Sequence, residues 1–199
     1  NKLLPFVFQY YFCFMNYEPN LFYHIYNQGK NKEKIFSSNE DYNYFLFLVR
    51  KYIFPHCEII SYCLMPNHFH FIIYTDDRSL EVKQQGNIFL SPVSNGFRLL
   101  LSKYAQWYNN INDRSGALFK PRTKSKALIN NPTEILENLY QLEYLITCFD
   151  YVHNNPVKAG FVKNTYDWEW SSARSYFNGS LNSLCNKELI QHLEKNYSN

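Results

Sequence analysis

The chain has 199 residues, a mild net charge of +3 and an unusually large number of aromatic residues, with 18 Tyr and 17 Phe. This length is enough for one domain with a substantial core, and no apolar run approaches the roughly 18 residues of a membrane span. The cysteines follow no regular spacing, which is more typical of reduced thiols than of a secreted disulfide scaffold. They are Cys13, Cys57, Cys63, Cys148 and Cys185. We therefore expect a cytoplasmic protein without a membrane partner.

The first half of the chain predicts a strand, a helix and a hairpin. Residues 21–26 have strand composition, and Ser37, Ser38 and Asp41 offer caps for a helix that Pro55 ends. Residues 57–64 and 68–74 then predict two strands joined by the two-residue turn Pro66-Asn67. Such a short connection makes the two strands antiparallel neighbours.

The second half predicts two long helices separated by a short strand. Residues 75–92 are polar and predict a loop, followed by a helical stripe from Phe97 to Tyr108 and a short strand over 126–129. The last helix is expected to begin at the cap Asn131 and to stop before Pro156. This order of elements predicts an α+β, ferredoxin-like fold, in which an antiparallel β-sheet has helices packed on one face.

The pair His68 and His70 stands at the head of a predicted buried strand. Side chains two residues apart on a strand share a face. Two adjacent imidazoles can hold a divalent metal and leave positions open for a substrate. The alternative is a pair of polar residues at a strand end.

The last helix carries a tyrosine away from its predicted core stripe of Ile135, Leu139, Leu142, Ile146 and Phe149. At about 100° per residue, Tyr151 lies roughly opposite this stripe, and Asn155 follows it on the same side. An amide oxygen suits Mg²⁺ or Mn²⁺. If this helix packs beside the hairpin, a metal held there would activate a phosphodiester for attack by the phenol and give a phosphotyrosine. The alternative is a surface aromatic that covers another element.

These residues together resemble a known family. His68-Phe69-His70 after Met65-Pro66-Asn67, with the downstream run from Tyr151 to Gly160, is similar to the REP-associated tyrosine transposases. These belong to the IS200-like, single-tyrosine HUH transposases. Residues 23–29, 108–119 and 170–172 carry further matches. The resemblance covers 21–177, so we expect 1–20 to be an N-terminal extension, 21–177 the HUH transposase catalytic domain and 178–199 a C-terminal tail.

The resemblance implies a DNA transposase that cleaves and rejoins single-stranded DNA at hairpin or palindromic repeat ends. Carried over by position, His68 and His70 are metal ligands, Asn155 is the third ligand and Tyr151 is the nucleophile, with Mg²⁺ or Mn²⁺ as cofactor. Such an enzyme would be cytoplasmic and associated with the nucleoid. A homodimer and a monomer both stay open, and Met15 is compatible with a later translation start that would leave residues 1–14 upstream.

The expected DNA contacts are basic and aromatic. Residues 113–126 hold five basic side chains and one acidic side chain, a net +4 suited to phosphates, although a solvated basic loop would have the same composition. Stacking could come from Trp107, Trp168 or Trp170, and Ser171 and Ser172 could cap a short helix that presents Arg174 to a guide base. The predicted DNA-binding set is Arg114, Lys120, Arg122, Lys124, Trp170, Ser171 and Arg174.

Two departures from the family and three alternatives remain. Gln28 stands where the family commonly carries Arg, and residues 75–96 form a longer connection than expected. The alternatives are a non-catalytic module that binds single-stranded nucleic acid, a metallonuclease that uses water, and a domesticated nuclease that processes chromosomal repeats.

Overall fold

The computed structural model describes residues 17–80, 83–85, 88–129, 139–178 and 184–191. Residues 1–14, the predicted upstream segment, and Asn131, the predicted helix start, both lie outside these ranges. Among the described residues, no helix is both long enough and apolar enough to cross a membrane. The four described cysteines are buried and form no disulfide.

The described residues form six strands and four α-helices. The strands are β1 (Phe22–Gln28), β2 (Glu58–Met65), β3 (His68–Tyr74), β4 (Lys83–Gln85), β5 (Ile88–Leu90) and β6 (Lys124–Ala127). The helices are α1 (Asn39–Tyr52), α2 (Pro92–Ile111), α3 (Leu139–Lys158) and α4 (Ala173–Asn178). Single 3₁₀ turns occupy Lys30–Lys32, Phe54–His56, Asp77–Ser79 and Thr165–Asp167.

The centre of the fold is an antiparallel sheet in the order β2-β3-β1-β6. The predicted α+β class, an antiparallel sheet with packed helices, is confirmed. The fourth strand, β6, runs from Lys124 to Ala127 rather than over 126–129. The prediction of a loop over 75–92 is wrong in part, because β4 and β5 pair as a separate two-stranded hairpin there. Both strands are only three residues long, and β4 is polar, so the sequence pattern did not signal them although Ile88–Leu90 is apolar.

The helices occupy both faces of the sheet, whereas the sequence predicted one. On one face, the ring of Phe45 in α1 lies 5.4 Å from Phe69, and Phe97 in α2 lies 6.2 Å from Phe71. On the other face, Tyr151 in α3 lies 5.5 Å from His70. Neighbouring residues of a strand point to opposite faces, so α3 covers the face that carries the imidazoles.

The first helix begins where its sequence predicts. The Ser38 hydroxyl accepts a hydrogen bond from the Asp41 amide, and the Asp41 carboxylate accepts one from the Ser38 amide at 2.9 Å. This reciprocal capping box satisfies two backbone donors that the helix itself leaves unpaired. Pro55 lies in the 3₁₀ turn that follows α1, which confirms the predicted stop.

Helix α3 continues past Pro156, so the predicted end before this residue is wrong. Proline removes one backbone donor, the one that would bond the Val152 carbonyl. The side-chain amide of Asn155 lies 3.4 Å from that oxygen and donates at 2.7 Å to the Tyr151 carbonyl, which compensates for part of the loss. The helix ends one turn later in a Schellman motif, with Gly160 at φ 74°.

The core stripe of α3 also differs from the predicted stripe. Leu142 and Phe149 are buried as predicted, but Leu139 is exposed. Cys148 is buried although it lies outside the predicted stripe. The buried residues still form one stripe at helical spacing, but it is rotated about the helix axis from the predicted one; they are Leu142, Leu145, Cys148, Phe149, Val152, His153 and Pro156.

A buried polar chain fixes α3 to β2. The Nε2 atom of His153 lies 2.8 Å from the Ser172 hydroxyl, and this hydroxyl accepts a hydrogen bond from the Tyr62 amide at 2.9 Å. Burial lowers the pKa of His153 to about 4. The imidazole is therefore neutral at pH 7 and joins α3 to the sheet through hydrogen bonds.

The edge of β2 is covered by the end of the chain. The Leu64 amide donates to the Trp170 carbonyl at 2.8 Å, and the Asn186 amide donates to the Ile59 carbonyl at 2.8 Å. Part of the predicted C-terminal tail, residues 184–191, thus packs against the sheet and contributes Leu184 and Ile190 to the core.

We predict that Gly96→Ala destabilises the fold. A Cβ atom at this position would lie 2.2 Å from the Tyr52 carbonyl oxygen, so α1 and α2 would have to move apart. Overpacking of this kind costs about 1–3 kcal/mol, which a urea titration of the free energy of unfolding will measure. Ser102→Ala on the exposed face of α2 is the control and should stay within about 0.5 kcal/mol of wild type. An unchanged midpoint for Gly96→Ala would show that the two helices are not in close contact.

We predict that acid destabilises the protein partly through His153. The pKa of this residue is lower in the folded state than its ordinary value of 6.5, so the unfolded chain binds more protons as the pH falls from about 6.5 to about 4. The His153 contribution is complete above pH 6.5 and is lost over this window, on the order of 3 kcal/mol at about 1.4 kcal/mol per pKa unit. Unfolding titrations from pH 7.5 to 4 should show a smaller loss for His153→Gln than for wild type. Equal losses would mean that His153 is not buried in its neutral form.

Candidate active site

Two imidazoles share one face at the start of β3, as the sequence predicts. His68 pairs with Gln28 of β1 and Met65 of β2, and His70 pairs with Tyr26 and Cys63. The two rings are edge to face, with centroids 5.1 Å apart. This register brings the pair under α3 and leaves the ring of His70 almost completely buried.

The turn before β3 fixes the protonation of His68. The Nδ1 atom of His68 lies 2.6 Å from Oδ1 of Asn67, and the Asn67 amide nitrogen lies 3.4 Å from the Lys32 carbonyl. An amide oxygen can only accept, so Nδ1 carries the proton and Nε2 is left with a free lone pair. Burial lowers the pKa of His68, an effect that a side-chain hydrogen bond with Asn155 partly offsets.

The tip of this hairpin is held rigidly. The Pro66 carbonyl accepts hydrogen bonds from the Ile35 and Phe36 amides at 2.7 and 3.0 Å, and the Asn67 carbonyl accepts one from Gly29 at 2.8 Å. A Cβ atom on Gly29 would lie 2.1 Å from the Glu33 carbonyl oxygen, so only glycine fits this return of the chain. His68 therefore follows directly on a turn that these main-chain hydrogen bonds hold in place.

Tyr151 stands beside the imidazoles and remains accessible. Its ring centroid lies 5.5 Å from that of His70, and 40% of the residue is exposed to solvent. The ammonium group of Lys158, two turns further along α3, lies 5.3 Å from the centroid of the Tyr151 ring. A cation at this distance stabilises negative charge that develops on the phenol.

Asn155 joins the helix to the imidazole pair. Its amide nitrogen donates to the Tyr151 carbonyl at 2.7 Å, which leaves its oxygen for the hydrogen bond that raises the pKa of His68. That hydrogen bond belongs to the protonated form of His68, which donates from Nε2, whereas a neutral His68 with its proton on Nδ1 would present a lone pair to this oxygen. Two lone pairs repel unless a cation lies between them. The arrangement therefore favours a positive charge at this point.

A third imidazole belongs to the site and was missed by the sequence reasoning. Nε2 of His24 in β1 lies 2.9 Å from Nδ1 of His70, and the ring of His24 lies 6.2 Å from that of Tyr151. The signal was present, because an antiparallel pairing of the first and third strands aligns every second residue of both. The resemblance includes His24 in its first-strand match, but no role was assigned to the residue.

A cavity of about 530 Å³ opens over these residues, and its wall is basic. Lys120, Arg122 and Lys124 from the predicted DNA-binding set line it, together with Lys32, which the sequence reasoning did not select. His68, His70 and Tyr151 form the rest of the chemically active lining. Lys120 also donates to the Gln28 side-chain oxygen at 3.1 Å, so its charge stands beside the position where Arg was expected.

The rest of the predicted DNA-binding set is not part of this cavity. Arg114 forms an ion pair with Glu33 at 2.9 Å, and Trp170 stacks on Tyr42 at a centroid distance of 4.5 Å. The Ser171 hydroxyl is buried and accepts from the Ala173 amide, and the exposed Arg174 donates to the Tyr166 carbonyl at 3.3 Å.

The other two tryptophans also make internal contacts. Trp168 donates from its indole nitrogen to the Leu64 carbonyl at 2.9 Å, and the ring of Trp107 lies 4.3 Å from that of Tyr44. These contacts agree with packing roles, which the sequence had left open beside stacking on bases.

The donor set at the site consists of imidazoles and one amide. Across the described part of the chain, no cluster of three or more His, Cys, Asp or Glu side chains is arranged to hold a metal ion. A metal at this site would instead take His68, His70 and the Asn155 oxygen, with the remaining positions filled by water or phosphate oxygens. Nitrogen and oxygen donors of this kind are compatible with Mg²⁺ or Mn²⁺.

Comparisons with known proteins agree at the level of the fold. No family model matches the chain, and no curated protein matches it by sequence. A solved structure described as a REP-associated tyrosine transposase bound to a REP hairpin superposes with a TM-score of 0.54 at 16% identity. The match covers 85% of this chain and 87% of the other. The chain therefore has the fold of a REP-associated tyrosine transposase.

Proposed function

We propose that this protein is a metal-dependent DNA strand transferase, which cleaves and rejoins single-stranded DNA at hairpin ends through a covalent phosphotyrosine. The observation that carries the proposal is the position of Tyr151, whose accessible ring lies 5.5 Å from His70 in a cavity with a basic wall. The fold shared with a transposase solved on a REP hairpin supports the choice of substrate.

Tyr151 would act as the nucleophile. Its phenolic oxygen attacks the phosphorus of a phosphodiester, a P–O bond to tyrosine forms, and the bond from phosphorus to the 3′ oxygen breaks. The phenolic proton passes to solvent, and the released 3′ oxygen ends as a hydroxyl. Lys158 would favour the step, since its ammonium group, 5.3 Å from the ring centroid, attracts the developing phenolate. Attack by a 3′ hydroxyl on the phosphotyrosine reverses these changes and rejoins DNA.

His68, His70 and Asn155 would hold Mg²⁺ or Mn²⁺. A bound metal would supply Lewis-acid polarisation of the scissile phosphate and neutralise charge on its oxygens. The protein contributes two imidazoles kept neutral by burial, which lowers the pKa of both. It also contributes an amide oxygen that the Tyr151 carbonyl helps to orient.

The basic wall would bind the phosphates on either side of the scissile bond. Lys32, Lys120, Arg122 and Lys124 bring four positive charges to one side of the cavity. No carboxylate lines this cavity among the described residues, so the four charges are not neutralised locally. Such a surface binds a backbone without reading its sequence.

The first test of this function is the covalent adduct. Incubation with a labelled single-stranded hairpin and Mn²⁺ should give a protein–DNA band on a denaturing gel. Tyr151→Phe should abolish this band because it lacks the attacking oxygen, and His68→Ala should reduce it at least about 100-fold, on the order of a lost metal or general catalytic group. Both variants should still bind the DNA in a native gel.

The outcomes of this test separate the alternatives. Cleavage without an adduct that persists in Tyr151→Phe would indicate a metallonuclease that uses water. Binding without cleavage in wild type, over a range of hairpins and both metals, would indicate a binding module. Tyr44→Phe removes a phenol outside the cavity and should behave as wild type.

The second test concerns the charge beside Gln28. Lys120→Ala should weaken binding of single-stranded DNA and lower the slope of log K against log salt concentration by about 0.7, the value for one phosphate contact. Gln28→Arg in the Lys120→Ala background should restore most of the affinity, because the two side chains occupy neighbouring positions. Fluorescence anisotropy at several salt concentrations measures both quantities. An unchanged slope for Lys120→Ala would exclude a phosphate contact at this residue.

A further inference from the structure

We propose that His24 is a positioning residue, which holds the His70 imidazole in the tautomer and orientation that a metal ligand requires. The inference rests on the proposed metal site at His68, His70 and Asn155. It adds a role for a residue of β1 that neither the sequence patterns nor the comparisons assign.

The geometry between the two rings is that of a direct hydrogen bond. Nε2 of His24 lies 2.9 Å from Nδ1 of His70, and the rings are inclined by only 22° with centroids 5.1 Å apart. The pairing of β1 with β3 sets this contact, because His70 lies opposite Tyr26 and His24 is the next residue along the same face. The contact is therefore built into the sheet and does not depend on a mobile loop.

Two ring nitrogens 2.9 Å apart in a hydrogen bond share one proton between them. A neutral imidazole has one N–H group and one lone pair. A hydrogen bond between two such rings therefore needs one ring to donate and the other to accept.

The direction of this bond decides whether His70 can bind a metal through Nε2. If Nδ1 of His70 donates to His24, the lone pair of His70 remains on Nε2 and can face a cation. If Nδ1 accepts instead, Nε2 carries the proton and cannot be a ligand. Metal-binding histidines commonly donate their second N–H group to a fixed acceptor, and Nε2 of His24 occupies the place of that acceptor.

The other imidazole of the pair, His68, also has a hydrogen-bond acceptor at Nδ1. His68 donates from Nδ1 to the side-chain oxygen of Asn67 at 2.6 Å, which leaves its Nε2 free. Both histidines of the pair thus have an acceptor at Nδ1, one from the hairpin turn and one from the neighbouring strand. The two acceptors would present two Nε2 lone pairs for one metal ion.

The surroundings of His24 disfavour a second proton on its ring. The ammonium group of Lys126 donates to the Tyr144 hydroxyl at 2.6 Å, and Lys126 lies opposite His24 in the pairing of β1 with β6. The rings of Tyr26 and Tyr151 lie 4.9 and 6.2 Å from that of His24. A cation and two neutral rings disfavour a second proton on this imidazole, and Nε2 of a singly protonated His24 accepts when the proton lies on Nδ1.

The test compares His24→Gln with His24→Leu. Glutamine places an oxygen acceptor near the position of Nε2, whereas leucine keeps the volume and removes the acceptor. Long-range ¹H–¹⁵N spectra of the metal-free protein report which ring nitrogen of His70 carries the proton. Wild type and His24→Gln should show protonated Nδ1, and His24→Leu should show a shift toward protonated Nε2.

Metal affinity gives the second readout. Titration with Mn²⁺, followed by electron paramagnetic resonance, should show binding about 10-fold to 100-fold weaker in His24→Leu, the usual range for loss of such a partner. His24→Gln should recover most of the affinity. Protonated Nε2 on His70 of wild type, or equal Mn²⁺ affinity of wild type and His24→Leu, would overturn the proposal.

The control separates this proposal from the function it rests on. If His68→Ala binds Mn²⁺ as tightly as wild type, the proposed metal site is wrong, and the role assigned to His24 falls with it. If His68→Ala loses Mn²⁺ while His24→Leu does not, the metal site stands and only the role of His24 is refuted.

Discussion

The pairing register of β1 against β3 is the constraint on which the site depends. It sets His70 opposite Tyr26 and His68 opposite Gln28, and it brings His24 within 2.9 Å of His70. A slip of one residue would turn every side chain of a strand to the other face. The imidazoles would then enter the aromatic core under α1 and α2, and Phe69 and Phe71 would face α3. The core and the site therefore specify the same register.

The position of α3 is the second requirement, and two side chains near its end establish it. His153 ties the helix to β2 through Ser172, while Asn155 bonds the Tyr151 carbonyl and contacts His68. Asn155 thus supports the helix across Pro156 and also stands at the candidate metal position. This double role explains why the helix can carry a proline one residue later without losing the turn that presents Tyr151.

Much of the site was predictable from local pattern, because its main parts follow from strand and helix periodicity. The shared face of His68 and His70, and the separation of Tyr151 from buried Leu142 and Phe149, needed no tertiary information. The prediction that Tyr151 of α3 lies beside these two imidazoles needed the resemblance to the transposases. Lys120, Arg122 and Lys124 reach the cavity as composition suggested, whereas Arg114 is paired with Glu33. A charge count along the chain cannot distinguish a free cation from a paired one.

The features that sequence reasoning missed depend on contacts between distant segments. His24 lies 46 residues before its partner His70, and only the strand order of the sheet brings them together. The end of α3 was placed too early, because the rule for residues before proline does not include the compensating side chain of Asn155. The placement of α3 on the second face of the sheet likewise depends on such contacts, because α3 packs over the imidazoles of β3 and leaves the cavity beside them.

The central claim is that a hairpin and a helix together form one metal-dependent site. The most direct measurement is anomalous diffraction from crystals of the protein soaked with Mn²⁺. The account predicts one strong peak between the imidazoles of His68 and His70 and the side-chain oxygen of Asn155, with the Tyr151 hydroxyl facing it. A peak elsewhere in the molecule, or none at this position at saturating Mn²⁺, would contradict it.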